Sequence, residues 1–245
     1  LEAVRMRPGM YIGTTSTRGL HHLLWEIVDN AIDEASNGFA DEVRVTLHTD
    51  GSASVYDNGR GMPVDEHPTM HVSGAEVIFT VLHAGGKWLT VDIYRDFSHY
   101  AMRFTSQFDE KKGKVIAGKP DAPLAKVGNT RKKGTLVRFL PDDAIFEDVR
   151  FNYDTVFRRL QELAYLNRGL KIVFLDERVS DPARRETTFH YEGGIIDYVR
   201  YLNDGKTVLH DQPIYLEGQK DSVICRVAIQ YTDGYTESLF SYVNN

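Results

Sequence analysis

The chain contains 245 residues, of which 42% are apolar and 26% are charged, and its formal net charge is -6. This length and apolar content allow one large domain or one and a half ordinary ones, whereas the negative charge excludes a domain whose main task is to hold DNA phosphates. The single cysteine, Cys225, excludes a disulfide framework and a cysteine-based metal site, and because no signal peptide or bilayer-length apolar run is recognisable, we expect a cytoplasmic protein without membrane association.

The first predicted elements are a helix and a β-hairpin. Apolar residues recur at helical spacing over residues 20–36. Residues 43–47 and 53–55 alternate between apolar and polar side chains, and the intervening Asp50-Gly51 is a strong hairpin turn signal. We therefore expect two antiparallel strands here, followed by a glycine-rich loop over residues 57–63.

The rest of the chain predicts a mixture of helices and strands. The expected helices cover residues 75–84, 153–167 and 194–202, and the expected strands cover residues 89–93, 100–104, 135–140, 171–175, 214–217, 223–231 and 235–243. Because these elements mix without regular βαβ alternation, we expect an α+β fold with a mostly antiparallel sheet. The change to strands alone predicts a second domain that begins near residue 206, which divides the chain into residues 1–205 and 206–245.

Polar residues gather on one arc of the first helix. His22, Glu26, Asn30, Asp33 and Glu34 lie together at about 100° per residue. A solvated helix face is the ordinary interpretation. Asn30, however, is a poor residue for a helix interior, because its side chain competes for the hydrogen bonds of the backbone. His22 lies one turn before Glu26, close enough to orient its carboxylate. A carboxylate beside an amide oxygen can position a water molecule and a hard cation such as Mg²⁺.

Three glycine-containing segments are also informative. Residues 57–63 place an aspartate at a strand end, where it can accept a hydrogen bond from a ligand amine, or they form an ordinary turn. Residues 83–87 can cradle phosphates or simply end a helix before a basic loop. Residues 133–135 alone indicate only a turn. Each signal is weak by itself, whereas their order and spacing together are specific.

Taken together, these segments resemble the gyrase B and ParE subunits of bacterial type II DNA topoisomerases. The matching segments are residues 1–13 (LEAVRMRPGMYIG), 19–35 (GLHHLLWEIVDNAIDEA), 57–63 (DNGRGMP), 77–87 (VIFTVLHAGGK), 133–135 (KGT) and 190–194 (HYEGG). The helix and the DxGxG loop are shared by the wider GHKL group, which includes Hsp90, MutL and histidine kinases. The resemblance implies a GHKL, or Bergerat-type, ATPase sandwich, in which helices cover one face of the sheet, followed by the first strands of a transducer domain.

The resemblance also implies a catalytic arrangement for hydrolysis of ATP. Glu26 would orient and deprotonate the attacking water, and His22 would hold Glu26 in place. Asn30 would ligate the Mg²⁺ ion that bridges the ATP phosphates. Gly86 and Lys87 would face those phosphates.

A second set of residues would hold the adenine base, according to the same resemblance. Asp57 would accept a hydrogen bond from the adenine amino group, Thr135 would support it through a shared water, and Gly61 would leave room for the base. Glu34 and Arg60 would form an ion pair across one face of the adenine, with Pro63 nearby. Arg95 would lie at the outer rim, where aminocoumarin antibiotics reach in this family. The apolar slot for the base would be lined by Ile27, Val55, Met62, Ile78 and Val137.

The chain departs from the family pattern at three places. Lys87 is followed at once by Trp88, where the family has a long glycine-rich lid over the phosphates, so we expect this lid to be absent between residues 87 and 88. The N-terminal arm that clasps a partner subunit is also missing, and the chain ends before the transducer lysine that reaches the γ-phosphate. Because the first residue is Leu1 rather than Met, we expect a fragment, and because its phosphate site lacks these parts, we expect it to bind adenine well and to hydrolyse ATP poorly.

The resulting hypothesis is the ATP-binding and hydrolysis domain of a type II DNA topoisomerase, with gyrase B and ParE as open alternatives. The expected partners are a second copy of the protein through ATP-gated dimerisation, the gyrase A or ParC subunit, DNA held by regions outside this chain, and aminocoumarin or other ATP-competitive inhibitors. The alternatives are a GHKL histidine kinase or chaperone, or a nucleotide-dependent dimerisation module with little turnover. Glu26 separates the last alternative from an ATPase, because a switch needs no general base.

Overall fold

The computed structural model describes residues 14–65, 73–75, 86–109, 114–116, 120–221 and 223–243. The segment 1–13, nearly all of the helix predicted at 75–84, and the predicted site residue Ile78 lie outside the described residues. The helices are α1 (Thr17–Ser36), α2 (Tyr153–Leu166), α3 (Pro182–Arg185) and α4 (Ile195–Leu202). The strands are β1 (Glu42–Leu47), β2 (Ala53–Asp57), β3 (Gly86–Arg95), β4 (Ser98–Thr105), β5 (Gln107–Asp109), β6 (Lys114–Ile116), β7 (Ala125–Asn129), β8 (Gly134–Pro141), β9 (Lys171–Asp176), β10 (Glu186–His190), β11 (Ile214–Lys220) and β12 (Val223–Ile229).

The large sheet has eight strands in the order β10-β9-β1-β2-β8-β3-β4-β7. The pair β1–β9 is parallel and the other neighbouring pairs are antiparallel. The predicted hairpin is present, because β1 and β2 pair antiparallel around a turn in which Gly51 adopts φ 85°. The expected α+β fold with a mostly antiparallel sheet is therefore confirmed.

The apolar face of the sheet packs against the helices. Val45, Val55, Val137 and Val91 lie side by side across four strands, and each is at most 3% exposed. The buried side of α1 and the Leu160 side of α2 belong to the same core cluster. The opposite face carries partly exposed polar and aromatic side chains, as the alternation along each strand requires. One face of the sheet therefore supports α1, and the candidate site lies between them.

A buried histidine joins the start of α1 to the start of α2. His21 is 4% exposed, and its Nδ1 lies 2.7 Å from the Thr17 carbonyl oxygen. Its Nε2 accepts the backbone N–H of Asn152, the N-cap of α2, at 3.0 Å. With Nε2 as an acceptor, Nδ1 must carry the proton that is donated to Thr17, so the neutral ring satisfies both contacts. The sequence alone predicts no role for this residue.

The structure corrects several predicted element bounds. Strand β3 begins at Gly86 rather than at residue 89, so Gly86 and Lys87 are strand residues and not a loop. The strand predicted at residues 235–243 is absent, since these described residues are irregular. Strands β7 and β10 were not predicted, because their residues are largely exposed and show little apolar alternation.

Two small sheets stand apart from the large one. Strands β11 and β12 form an antiparallel hairpin, and β5 and β6 form another. Apolar residues of the β11–β12 hairpin remain exposed, among them Leu216 at 60% and Val223 at 67%. In the described part of the chain, no helix has the length and apolar character needed to cross a membrane.

Candidate nucleotide site

A cleft lies between α1 and the ends of β2 and β8. Its empty volume, including the open mouth, is about 380 Å³. The lining consists of Ile27, Asn30, Ala31, Glu34, Val55, Asp57, Met62, Thr135 and Val137. All of these except Ala31 were predicted as site residues from the sequence. The fold thus collects residues that lie more than 100 positions apart in the chain.

Asp57 supplies the buried charge of the cleft. It is the last residue of β2, it pairs in register with Thr135 of β8, and it is only 7% exposed. Burial raises the pKa of its carboxyl group to about 6, although hydrogen bonds from the backbone of Gly59 and Thr135 act in the opposite direction. The Gly59 N–H donates to Oδ1 at 2.9 Å. A carboxylate held in this way is a strong acceptor for an N–H donor of a ligand.

Two glycines allow the loop after β2 to approach its neighbours closely. Gly61 has φ 78°, and a Cβ atom there would lie 2.9 Å from the Tyr94 carbonyl oxygen. Gly134 has φ 109°, and a Cβ atom there would overlap the carbonyl oxygen of Asp57. Any side chain at either position would force the floor of the cleft apart.

Hydrogen bonds tie this loop to β3 and β8. The Met62 N–H donates to Thr135 Oγ1 at 3.2 Å, and Arg95 Nη1 donates to the Gly61 carbonyl oxygen at 3.1 Å. Arg95 therefore lies beside the loop, at the end of β3, rather than in the cleft lining. Pro63 follows in the same loop and is exposed. These contacts hold the loop in position before any ligand is present.

The polar arc of α1 runs from the cleft toward the start of the helix. His22, Glu26, Asn30 and Glu34 follow one another at intervals of four residues, which separates neighbours by about 6 Å along the axis. His22 Nε2 lies 3.3 Å from Glu26 Oε1, and both side chains are about half exposed. Asn30 and Glu34 line the cleft, whereas Glu26 and His22 lie beyond it on the same face. A carboxylate oriented by a histidine is thus placed next to a cleft that contains an amide oxygen.

Glu34 forms the expected ion pair at the mouth of the cleft. Nε and Nη2 of Arg60 each lie 2.7 Å from Glu34 Oε1. The guanidinium carbon of Arg60 also lies 3.4 Å from the centre of the Phe39 ring. Phe39 was not predicted as a site residue, because a single aromatic residue after a helix carries no recognisable signal.

Gly86 and Lys87 lie at the far end of β3 from the cleft. Gly86 pairs with Pro141, whereas Ile93 pairs with the cleft residue Thr135, so these two ends of β3 are about 20 Å apart. Lys87 Nζ lies 3.4 Å from Asp143 Oδ1. The strand register shifts between Gly86 and Trp88, which is where the sequence predicts a missing lid. The predicted role of these residues toward phosphates stays a prediction.

The described residues contain no cluster of three or more His, Cys, Asp or Glu side chains suited to hold a metal ion. Asn30 is the predicted ligand, and its amide oxygen is the kind of hard donor that Mg²⁺ accepts. Because Mg²⁺ is commonly bound by few protein ligands together with substrate phosphates, this donor set fits an ion that arrives with a nucleotide.

Comparison with known families identifies two matching regions. Residues 15–143 match the family described as "Histidine kinase-, DNA gyrase B-, and HSP90-like ATPase", and residues 194–245 match the family described as "DNA gyrase B". The first match contains every residue that lines the cleft.

Individual relatives are similar over the whole chain. The DNA gyrase B protein of Thermotoga maritima is 44% identical, and the DNA topoisomerase 4 B protein of Enterococcus faecalis is 46% identical, each over 100% of this chain. The chain spans about 40% of the length of these relatives, covering 41% of the first and 38% of the second. The alignments extend over 276 and 274 positions, so each relative carries residues that have no counterpart among the 245 of this chain.

A solved structure shares the fold. It is the 43K ATPase domain of Thermus thermophilus gyrase B in complex with an aminocoumarin, with a TM-score of 0.83 and 38% sequence identity over 96% of this chain and 63% of that one. The sequence, the cleft and the fold agree, and the chain belongs to the family of histidine kinase-, DNA gyrase B- and HSP90-like ATPases, within its gyrase B and topoisomerase IV B branch.

Proposed function

We propose that this chain binds and hydrolyses ATP as the N-terminal ATPase part of a type II DNA topoisomerase of the gyrase B or ParE kind. The observation that carries the proposal is the buried Asp57 carboxyl at the floor of the cleft, opposite the Asn30 face of α1. A buried acceptor with apolar walls suits a flat heterocycle that carries an amino group, and adenine is such a group.

Base recognition follows from the chemistry of the lining. Asp57 accepts a hydrogen bond from the exocyclic amino group of adenine, and Thr135 supports it through a shared water. Ile27, Val55 and Val137 pack on the faces of the ring, because each is at most 5% exposed and lies on the cleft wall. Gly61 leaves room for the ring edge.

Hydrolysis uses the polar arc of α1. Glu26 orients the attacking water and accepts its proton, and His22, at 3.3 Å, holds the Glu26 carboxylate in position. Asn30 lies one turn from Glu26 on the cleft side, where it would hold Mg²⁺, and the ion would supply charge neutralisation at the phosphates. The phosphates extend from the base toward Glu26, along the helix face.

The phosphate site of this chain is incomplete. Lys87 and Trp88 are consecutive residues of β3, whereas the family has a lid at this position whose backbone N–H groups wrap the phosphates. Loss of one preorganised donor at a comparable charge-stabilising site costs about 10²–10³-fold in rate. The chain therefore binds adenine ligands well and turns over slowly.

The chain divides into an ATPase domain over residues 1–205 and the beginning of a transducer domain over residues 206–245. This division is supported by the separation of the β11–β12 hairpin from the large sheet. The full-length protein works in the cytoplasm, dimerises when ATP binds, and associates with gyrase A or ParC to pass one DNA duplex through another. Aminocoumarins bind across the base site and reach Arg95 at its rim.

A second candidate function is a nucleotide-dependent dimerisation module with little turnover. The contact between His22 and Glu26 favours the ATPase, because a module that only binds nucleotide has no use for an oriented carboxylate beside the phosphates.

The test pairs two measurements on this polypeptide. Calorimetry should detect binding of ADP and of an aminocoumarin, while steady-state phosphate release should be far slower than that of the full-length protein. Failure of both ligands to bind would refute the base site. Turnover equal to that of the full-length protein would refute the incomplete phosphate site.

A further inference from the structure

The end of α1 fixes the position of Phe39 beside the cleft. The Phe39 N–H donates to the Glu34 carbonyl oxygen at 3.0 Å, and the Gly38 N–H donates to that of Ala35 at 2.8 Å. Gly38 has φ 78°. These two hydrogen bonds and the left-handed glycine form a Schellman motif, which ends the helix and sets the direction of the chain after it. The same motif therefore anchors both Glu34 and Phe39.

Phe39 has no apolar side chain at the position that this motif usually offers for packing. The residue after the glycine normally packs on an apolar side chain three residues before the helix end, but that residue here is Glu34, whose carboxylate binds Arg60. Phe39 remains 42% exposed, and its ring lies against the Arg60 guanidinium, 3.4 Å from ring centre to Cζ. The aromatic ring thus contacts Arg60 at the mouth of the cleft.

Arg60 is restrained in two independent directions. Glu34 binds the edge of the guanidinium through Nε and Nη2, and Phe39 covers one of its two flat faces. The Arg60 side chain is 56% exposed, so its other flat face remains accessible. Because its partner Glu34 lines the cleft, the Arg60 guanidinium lies at the cleft mouth.

We propose that Phe39 is a positioning residue for the base of the nucleotide. Its ring supports the Arg60 guanidinium from behind, so that the accessible face of the guanidinium stacks on the heterocycle and a three-layer stack of Phe39, Arg60 and base closes the cleft. Holding a long side chain in place before binding avoids part of the rotamer entropy that would otherwise be lost. The proposal rests on the proposed function, since it requires a nucleotide base in the cleft.

The first experiment measures ADP affinity by calorimetry in this chain and its variants. Phe39→Leu keeps an apolar side chain but removes the ring, and we expect ADP to bind about three- to tenfold more weakly. Phe39→Tyr keeps the ring and should remain within about twofold of the parent. Phe240→Leu is the matched control, because it removes a 53% exposed phenylalanine outside the cleft, and it should leave ADP affinity unchanged.

A double-mutant cycle separates positioning of Arg60 from a general structural role. In the Arg60→Ala background the Phe39→Leu change should cause no further loss of ADP affinity, because the ring would have no guanidinium to support. An equal loss in both backgrounds would show that Phe39 acts on the fold and would overturn the proposal. So would unchanged ADP affinity in the Phe39→Leu single variant.

A ligand-free measurement reports the stack directly. The Arg60 side-chain N–H resonance should lie upfield in the parent, because it lies near the face of the Phe39 ring, and should move downfield in Phe39→Leu but not in Phe39→Tyr. An Arg60 resonance that is identical in all three proteins would overturn the stack. If the parent shows the upfield resonance but binds no ADP, the proposed function fails, and the positioning role fails with it.

Discussion

Replacement of Asp57 by asparagine should move stability and ligand affinity in opposite directions. Burial raises the pKa of the Asp57 carboxyl from 3.8 to about 6. At 1.36 kcal/mol per pKa unit, the ionised carboxyl lowers the stability of the folded chain by about 3 kcal/mol above pH 6. Asparagine has nearly the same shape, its Oδ1 can still accept the Gly59 N–H, and it carries no charge. Asp57→Asn should therefore stabilise the ligand-free fold by at most about 3 kcal/mol near pH 8.

The pH dependence gives the sign of this effect. Because the pKa of Asp57 is higher in the folded than in the unfolded chain, the folded chain binds the Asp57 proton more tightly. The Asp57 carboxyl therefore stabilises the fold below pH 3.8, and this stabilisation is lost as the pH rises through 6. The stability difference between Asp57→Asn and the parent should thus be largest near pH 8 and should vanish below pH 3.8. Urea denaturation at a series of pH values measures it, and taking the difference between the two proteins removes the titration of other carboxylates.

Ligand affinity should respond in the opposite way. Asparagine presents N–H groups where a ligand amine needs an acceptor, so ADP should bind about ten- to a hundredfold more weakly. For the parent, ADP affinity should fall about tenfold per pH unit below pH 6, since only the ionised carboxyl accepts fully. Asp176→Asn is a control whose folding stability should change in the opposite direction. Asp176 is fully buried but paired with Arg178 at 2.7 Å, so loss of this carboxylate should destabilise the fold. An Asp57→Asn protein that is less stable at pH 8, or that binds ADP like the parent, would refute this reasoning.

Three further predictions follow from other parts of the structure. Glu26→Gln in the full-length protein should lower the rate of ATP hydrolysis by about 10²–10⁴-fold, whereas the nucleotide affinity measured by calorimetry should stay near normal. Hydrolysis at the parental rate would show that Glu26 has no role in the mechanism. His21→Leu should lower the free energy of unfolding by about 1 kcal/mol in urea denaturation, because the partly buried Asn152 N–H loses its acceptor. Unchanged stability would mean that this contact contributes nothing. This chain, with its net charge of -6, should show no tight DNA complex by gel shift at physiological salt. A tight, salt-sensitive complex would contradict this expectation.

Helices α1, α2 and α4 and the central strands could be predicted from the sequence because each has a regular apolar period, whereas the four-residue helix α3 was not predicted. Helix α1, strands β1 and β2 and the turn at Gly51 were predicted within a few residues of their bounds. Strand β7 was missed because it is an exposed edge strand with a register irregularity, so it has no buried face to create a pattern. The strand predicted at residues 235–243 failed for the opposite reason, since alternation predicts a strand only where a partner strand is available.

The candidate site was predicted mainly through family resemblance, since single motifs such as residues 57–63 also describe ordinary turns. The polar arc of α1 was readable from the residues alone, because helical geometry is local. The contact between Phe39 and Arg60 could not be predicted from the sequence, since it depends on a capping motif and a loop that meet only in the folded chain.

The features that could be predicted from the sequence are therefore local: the period of each strong element, the turn at Asp50-Gly51, and the spacing of His22, Glu26 and Asn30 on one helix face. The folded chain was needed to show that Asp57 is buried opposite Thr135, that its pKa is raised, and that Lys87 lies at the far end of β3. The physical reason is that burial and electrostatics depend on contacts between strands far apart in the chain. No local pattern of side chains encodes the dielectric surroundings that those contacts create.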